Sequence, residues 1–316
     1  MLKKARTRVT LIRRYGFCED GLRLRTSIKL YKLFVRPILE YCAQALSYAR
    51  YSQRSQAVEQ GFAKEIEHFQ TQSLKKLINC PRNTPPAIVR LFCGVEPLAC
   101  RLEILKLRYF WKTLHRPPDT VTNKILAYRK QNLLTFAKGI GHQVFNICCR
   151  YNAINIWHGK MPKKMNPLKS IKKIIITQNL RNDLETGRVY ACSFTSIFLS
   201  NPFTYQKDYH LVEPFIKLDY SSYPNDTKIL VKALLDPCSY QKDCQHCGSS
   251  SKDLLTHFLT LCPNILRIRS LFHSKLLLYN FSKEQLPLQK NLLLTKVMNN
   301  ASWRKCLVNF LQELGY

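Results

Sequence analysis

Acidic residues are scarce in this chain. Twenty Asp and Glu stand against fifty Lys and Arg, for a formal charge of +30. Between Asp119 and Asp183 there is none at all, while Lys124, Arg129, Lys130, Lys138, Arg150, Lys160, Lys163, Lys164, Lys169, Lys172, Lys173 and Arg181 all fall in that interval. Residues 1–36 hold eleven Lys or Arg against Glu19 and Asp20 alone. A charge of this size repels itself on a compact body. Its segregation into acid-free stretches indicates a surface that tracks a polyanion, not a charge-mixed one laced with ion pairs. A merely soluble basic protein, a ribosomal protein and a membrane-surface protein are the competing readings; nucleic acid, the commonest polyanion, is preferred.

Long apolar runs are missing too. The triplet Ile174-Ile175-Ile176 is flanked by Lys173 and Thr177, and no stretch is long enough to span a bilayer. Behind Leu2-Lys3-Lys4-Ala5-Arg6 there is no continuous apolar segment of the kind a secretory signal needs. Gly (10) and Pro (15) are too few for collagen-like or linker-like material. Apolar residues, at 46%, suffice to build cores. Cysteine is not lacking: there are thirteen, an odd number scattered along the chain. That fits a reducing compartment with mostly buried thiols, hence an intracellular protein, nuclear or cytoplasmic and not secreted.

The first part reads as helices separated by prolines. Thr26 or Ser27 is positioned to cap a helix bearing Ile28, Tyr31 and Phe34, which Arg36-Pro37 should bend or break. A second helix would present Ile38, Tyr41, Ala45, Leu46 and Ala49. From Gln56 to Ile78, Val58, Phe62, Ile66, Phe69, Leu74 and Leu77 recur near the helical period. Pro81 to Pro86 stop that helix, and Thr84 should cap a short one ending at Gly94. After Pro97, Leu98, Leu102, Leu105 and Tyr109 form an apolar stripe beside a basic one, Arg101, Arg108, Lys112 and His115. The basic stripe is either a solvated face or a phosphate contact. Beyond Pro117-Pro118, with Pro162, Pro167, Pro202, Pro214 and Pro224 as punctuation, residues 116–235 are expected to be a basic, partly extended connection. Aromatics there, Tyr128, Phe136, Phe145, Tyr151 and Trp157, are stacking platforms for unpaired bases or simply core.

Cys244-Gln245-His246-Cys247-Gly248 opens the strongest site pattern. A two-residue spacer lets both thiolates face one metal from a tight turn, and Gly248 lets the backbone reverse. Ser250 and Asp253 would cap a helix holding Leu254, His257, Phe258 and Leu261. That helix delivers His257 and, as it ends before Pro263, Cys262. C-x2-C-x9-H-x4-C offers four ligands suited to tetrahedral Zn2+; with every position filled, the ion would be structural and not hydrolytic. The alternative is three unrelated buried cysteines and a surface histidine. His246 would point away from the metal, and Cys238 reads as a plain thiol.

Several blocks resemble one family. Leu30-Tyr31-Lys32-Leu33-Phe34-Val35-Arg36-Pro37-Ile38-Leu39-Glu40-Tyr41 looks like the segment after the palm in reverse transcriptases of LINE-type (non-LTR) retrotransposons, in the region assigned to their thumb. The helix to Ile78 with Cys80-Pro81 and Thr84-Pro85, then Gly94-Val95-Glu96-Pro97-Leu98 with Arg101, resembles the next stretch of those polymerases. Cys244 to Pro263 is similar to the family's CCHC knuckle. Leu292-Leu293-Leu294, Ser302-Trp303 and Phe310-Leu311 resemble the closing helix of jockey-like members. The resemblance covers about residues 1–115 and 226–316. It implies a mainly α chain: a helical thumb-like region (1–115), a basic connecting region (116–235) and a small zinc-knuckle region with C-terminal helices (236–316).

The resemblance also implies RNA or DNA as partner, and the remaining parts of the polymerase as a further one. Candidate nucleic-acid contacts are Lys29, Lys32, Arg36, Arg101, Arg108, Lys112, Lys160, Lys163, Lys164, Lys169, Lys172 and Lys173. The paired palm aspartates that hold magnesium in such polymerases are not found. Phe17-Cys18-Glu19-Asp20 is only a passing likeness, too close to Tyr31. No endonuclease pattern is found either. The chain is therefore expected to begin downstream of the catalytic parts and to be no enzyme itself. A fragment active only when joined to a palm, and a decayed element, are the rival readings.

Overall fold

The computed structural model describes residues 1–14, 24–41, 56–132, 140–159, 167–189, 224–235, 242–251, 254–278, 297 and 301–314. These residues are mainly α-helical, as expected. They divide into two compact units. The first comprises Met1–Ala5, Phe34–Gln70 and Glu96–Leu180, and the second Arg6–Leu33, Thr71–Val95 and Arg181–Tyr316.

The chain opens with α1 (Leu2–Arg14), and α2 (Leu24–Leu30) leads through a π-helical turn, Tyr31–Val35, into α3 (Arg36–Glu40). Pro37 does not break the helix here. A proline ring clashes with the carbonyl four residues back, and the wider π turn in front of it is a recognised way to relieve that conflict. Ile28 and Tyr31 are buried as expected, but Phe34 is 53% exposed, and Val35 and Leu39 take over the core. Tyr41, extended and exposed, ends α3, and Ala45, Leu46 and Ala49 lie outside the described residues.

Helix α4 (Gln56–Ile78) has the bounds its periodicity predicts. Ile66, Phe69, Leu74 and Leu77 are buried, while the side chains of Val58 and Phe62 lie outside the described set. Helix α5 (Pro86–Cys93) stops at Gly94, which adopts φ +57° as a left-handed cap should. Its start differs from expectation. Pro85 is the N-cap, and the buried Thr84 donates its hydroxyl to the Leu235 carbonyl at 3.2 Å.

In the first unit, α6 (Leu98–Leu114) packs against α7 (Val121–Gln131) and α8 (Ile140–Arg150), and α9 (Ile154–His158) comes directly after α8 and packs on it. Pro97 cannot offer α6 a capping side chain. The Glu67 carboxylate accepts the Ala99 N–H at 3.3 Å instead, placing negative charge at the positive end of the helix. Phe110 stacks on Trp157 at 5.1 Å and Phe145 meets that indole edge-on at 5.5 Å. Trp157 and Tyr151 are thus core and not stacking platforms; only Tyr128, 58% exposed, keeps that role open, and Phe136 lies outside the described residues. Buried Glu103 accepts from Arg150 at 2.6 Å and from the Tyr151 hydroxyl at 2.9 Å.

The stretch 116–235 is mostly helical where it is described, with turns at 116–120 and 151–153. Besides α7 to α9 it holds α10 (Pro167–Val189) and α11 (Pro224–Leu235). Pro167 and Pro224 open these helices. A proline at the first helical position costs nothing, since that N–H has no intrahelical partner anyway. In the second unit, α11 and α13 (Leu266–Leu278) both pack on α14 (Ala301–Glu313), with Phe272 and Phe310 in ring contact at 5.0 Å. Arg90 grips Asp183 with two hydrogen bonds, Nε to Oδ2 at 2.9 Å and Nη2 to Oδ1 at 2.5 Å. No helix among the described residues is long and apolar enough to cross a membrane.

Candidate metal centre and basic faces

A two-stranded antiparallel ribbon, β1 (Lys242–Asp243) and β2 (Ser250–Ser251), brackets the turn that holds Cys244 and Cys247, pairing Lys242 with Ser251 and Asp243 with Ser250. Ser250 is therefore a strand residue and not the expected helix cap, and Asp253 lies outside the described residues. Within the ribbon the Gly248 N–H donates to the Cys244 carbonyl at 2.7 Å, and the Cys244 N–H to the Ser249 carbonyl at 2.9 Å. This turn needs Gly248 at φ +71°, a region a Cβ would strain. Helix α12 (Leu254–Thr260) comes next, with Leu255, Phe258 and Leu259 buried. The Leu261 and Cys262 N–H groups both donate to the His257 carbonyl, at 2.8 and 2.9 Å. That shared bond curls the chain so that Cys262 returns to the side His257 faces. Leu261 is turned out, 55% exposed.

The result is one cluster. The ligand atoms of Cys244, Cys247, His257 and Cys262 all lie within 4.8 Å of one another, and the group could bind a metal ion. Cys244 Sγ is 3.7 Å from Cys262 Sγ, and Cys247 Sγ is 3.3 Å from His257 Nε2. Cys244, Cys262 and His257 are buried. His246 is not a member; its ring sits edge-on to Phe258 at 5.5 Å. Cys238 lies outside the described residues.

Two of the three thiols sit in contrasting surroundings. Hydrogen bonding from Ser249, side chain first and then backbone, pulls the Cys247 thiol down to about 6, whereas burial pushes Cys262 up to about 11. These surroundings favour the thiolate at Cys247, whereas Cys262 would have to lose a proton for a metal to bind. Ser249, with its Oγ 3.2 Å from Cys247 Sγ, is a supporting residue that ligand spacing does not reveal.

The twelve basic candidates separate by environment. Lys32 donates to the Gly94 carbonyl at 2.8 Å. Arg36 lies 3.2 Å from Glu40 and 3.4 Å from Glu96, and Arg101 bonds Glu40 at 2.9 Å. These three cations are already engaged within the protein. Lys29, Arg108, Lys112, Lys169, Lys172 and Lys173 are exposed. The last three are in the first turns of α10, which buries Ile171, Ile175, Ile176, Leu180 and Leu184 along its length. Lys160, Lys163 and Lys164 lie outside the described residues. Of the α6 apolar stripe, Leu98 and Leu102 are buried, and Tyr109 is 37% exposed. No protein-family model, no curated protein and no solved structure matches the chain.

Proposed function

We propose that this chain is a non-catalytic nucleic-acid-binding module, derived from the C-terminal part of a LINE-type retrotransposon reverse transcriptase, with one structural zinc ion in its knuckle. The observation that carries the binding half is the charge of +30 together with exposed cations on α6 and α10 that no carboxylate among the described residues neutralises. Phosphates are the complementary surface, because a polyanion offsets the self-repulsion that such a body otherwise retains.

The metal half rests on donor chemistry and spacing. A zinc ion with bonds of about 2.3 Å to sulfur and about 2.0 Å to nitrogen has tetrahedral edges of roughly 3.8 Å between sulfurs and roughly 3.5 Å from sulfur to nitrogen. The 3.7 Å and 3.3 Å separations suit those edges. Four protein ligands leave no position for a reacting water, so the ion would hold the ribbon to α12 and perform no hydrolysis.

Two outcomes test the functional reading. Binding to nucleic acid should weaken steeply with salt; if about six phosphates of a single strand are neutralised, log affinity falls against log salt with a slope of roughly −4. Replacing Lys169, Lys172 and Lys173 by glutamine should flatten that slope and weaken all sequences alike, whereas salt-independent binding would refute a phosphate-led grip. With template, primer, deoxynucleotides and magnesium, the chain alone should extend no primer above a vector control.

A further inference from the structure

Helix α1 carries Lys3, Lys4, Arg6, Arg8, Arg13 and Arg14 and no acidic residue. All six are exposed, while Ala5, Val9 and Ile12, spaced four and three apart, are buried as a single narrow stripe. Among the described residues, none of the ion pairs involves Lys4, Arg6, Arg8, Arg13 or Arg14. By its own electrostatics this is a poor helix. Lys4 repels Arg8 one turn on, and no acidic residue within the helix offsets either. Nothing in its composition offsets that except the stripe it buries. By contrast, α6 has its first cation tied to Glu40, and α10 carries Asp183 and Glu185.

We propose that α1 is a docking element for double-stranded DNA, laid along the major groove with its cations on the flanking phosphates. The inference deepens the nucleic-acid reading above and rests on it. Thirteen residues make a rod about 20 Å long and about 10–12 Å across. A B-form major groove about 12 Å wide admits such a rod, whereas the A-form groove of duplex RNA is too deep and narrow. Single strands are held by aromatic platforms beside cations, and α1 has no aromatic residue. A membrane surface fits less well. Interfacial helices insert an apolar face, and here Ala5, Val9 and Ile12 are already covered.

The test uses the full-length chain and one sequence prepared as duplex DNA, duplex RNA and single-stranded DNA, with anionic lipid vesicles as a fourth probe. The variant K4Q/R6Q/R8Q/R13Q/R14Q keeps helix propensity nearly unchanged. It should lower duplex-DNA affinity at least tenfold and make the log–log salt slope shallower by about 3 to 4, at about 0.9 for each phosphate no longer neutralised. The charge-keeping variant K4R/R6K/R8K/R13K/R14K should restore both. An unchanged slope in the glutamine variant, with wild-type binding intact, refutes the role of α1 while leaving the binding function standing. Equal losses in both variants mean a structural role and also refute it. Tighter wild-type binding to duplex RNA, single strands or vesicles overturns the choice of partner. A wild-type chain that binds no nucleic acid overturns the proposed function itself.

Discussion

Purified protein is expected to contain one zinc ion per chain, and Cys247→Ser or His257→Ala to abolish it and open residues 242–278 to proteases. The magnitude comes from how little else orders this segment. Fixing backbone costs about 1–2 kcal/mol per residue, and Leu255, Phe258 and Leu259 are the chief apolar anchors of α12. Structural zinc supplies roughly 10–16 kcal/mol in such small units. Loading metal-free protein at neutral pH should release protons, because burial holds the Cys262 thiol up at about 11 and the bound sulfur must be a thiolate. Acidification should then favour release, since protons compete for the same sulfurs. A metal-free chain as protease-resistant as the loaded one in this region would remove the case for a structural ion.

Asp183→Ala is expected to be strongly destabilising. Its carboxylate receives both Arg90 bonds, with side chains only 7% and 12% exposed. Removing one partner leaves the other charge poorly solvated, at a cost of about 3–5 kcal/mol. Replacing both residues by apolar ones of similar volume, as in R90M/D183L, should be far milder, because desolvation offsets most of what the pair contributes. Denaturant titration of the three proteins checks this. A double variant as unstable as Asp183→Ala would mean that the loss lies in packing and not in the broken ion pair.

The contrast between these two sites marks where sequence suffices. The four ligands lie within nineteen residues, from Cys244 to Cys262. One glycine turn and one short helix dictate their approach, so spacing alone foretells the cluster. The same holds for α4, whose period and succeeding prolines set both ends, and for Gly94, where φ +57° needs a residue without Cβ. Local rules act on local neighbours. The helical class and the excess of positive charge were also legible, because each sums over many residues and tolerates single errors.

Tertiary structure alone decided which charges remain available and which prolines begin helices. Arg36 meets Glu96 across 60 residues, Arg101 meets Glu40 across 61, and Lys32 meets the Gly94 carbonyl across 62. No periodicity encodes such meetings, since loop closure lets almost any distant acid reach almost any cation until packing selects one. Pro167 and Pro224 looked like interruptions because the missing N–H that ends a helix equally permits its first residue. Packing also chose between overlapping stripes on one helix: Ile28, Tyr31, Val35 and Leu39, spaced three, four and four apart, are buried, and Phe34 is left exposed.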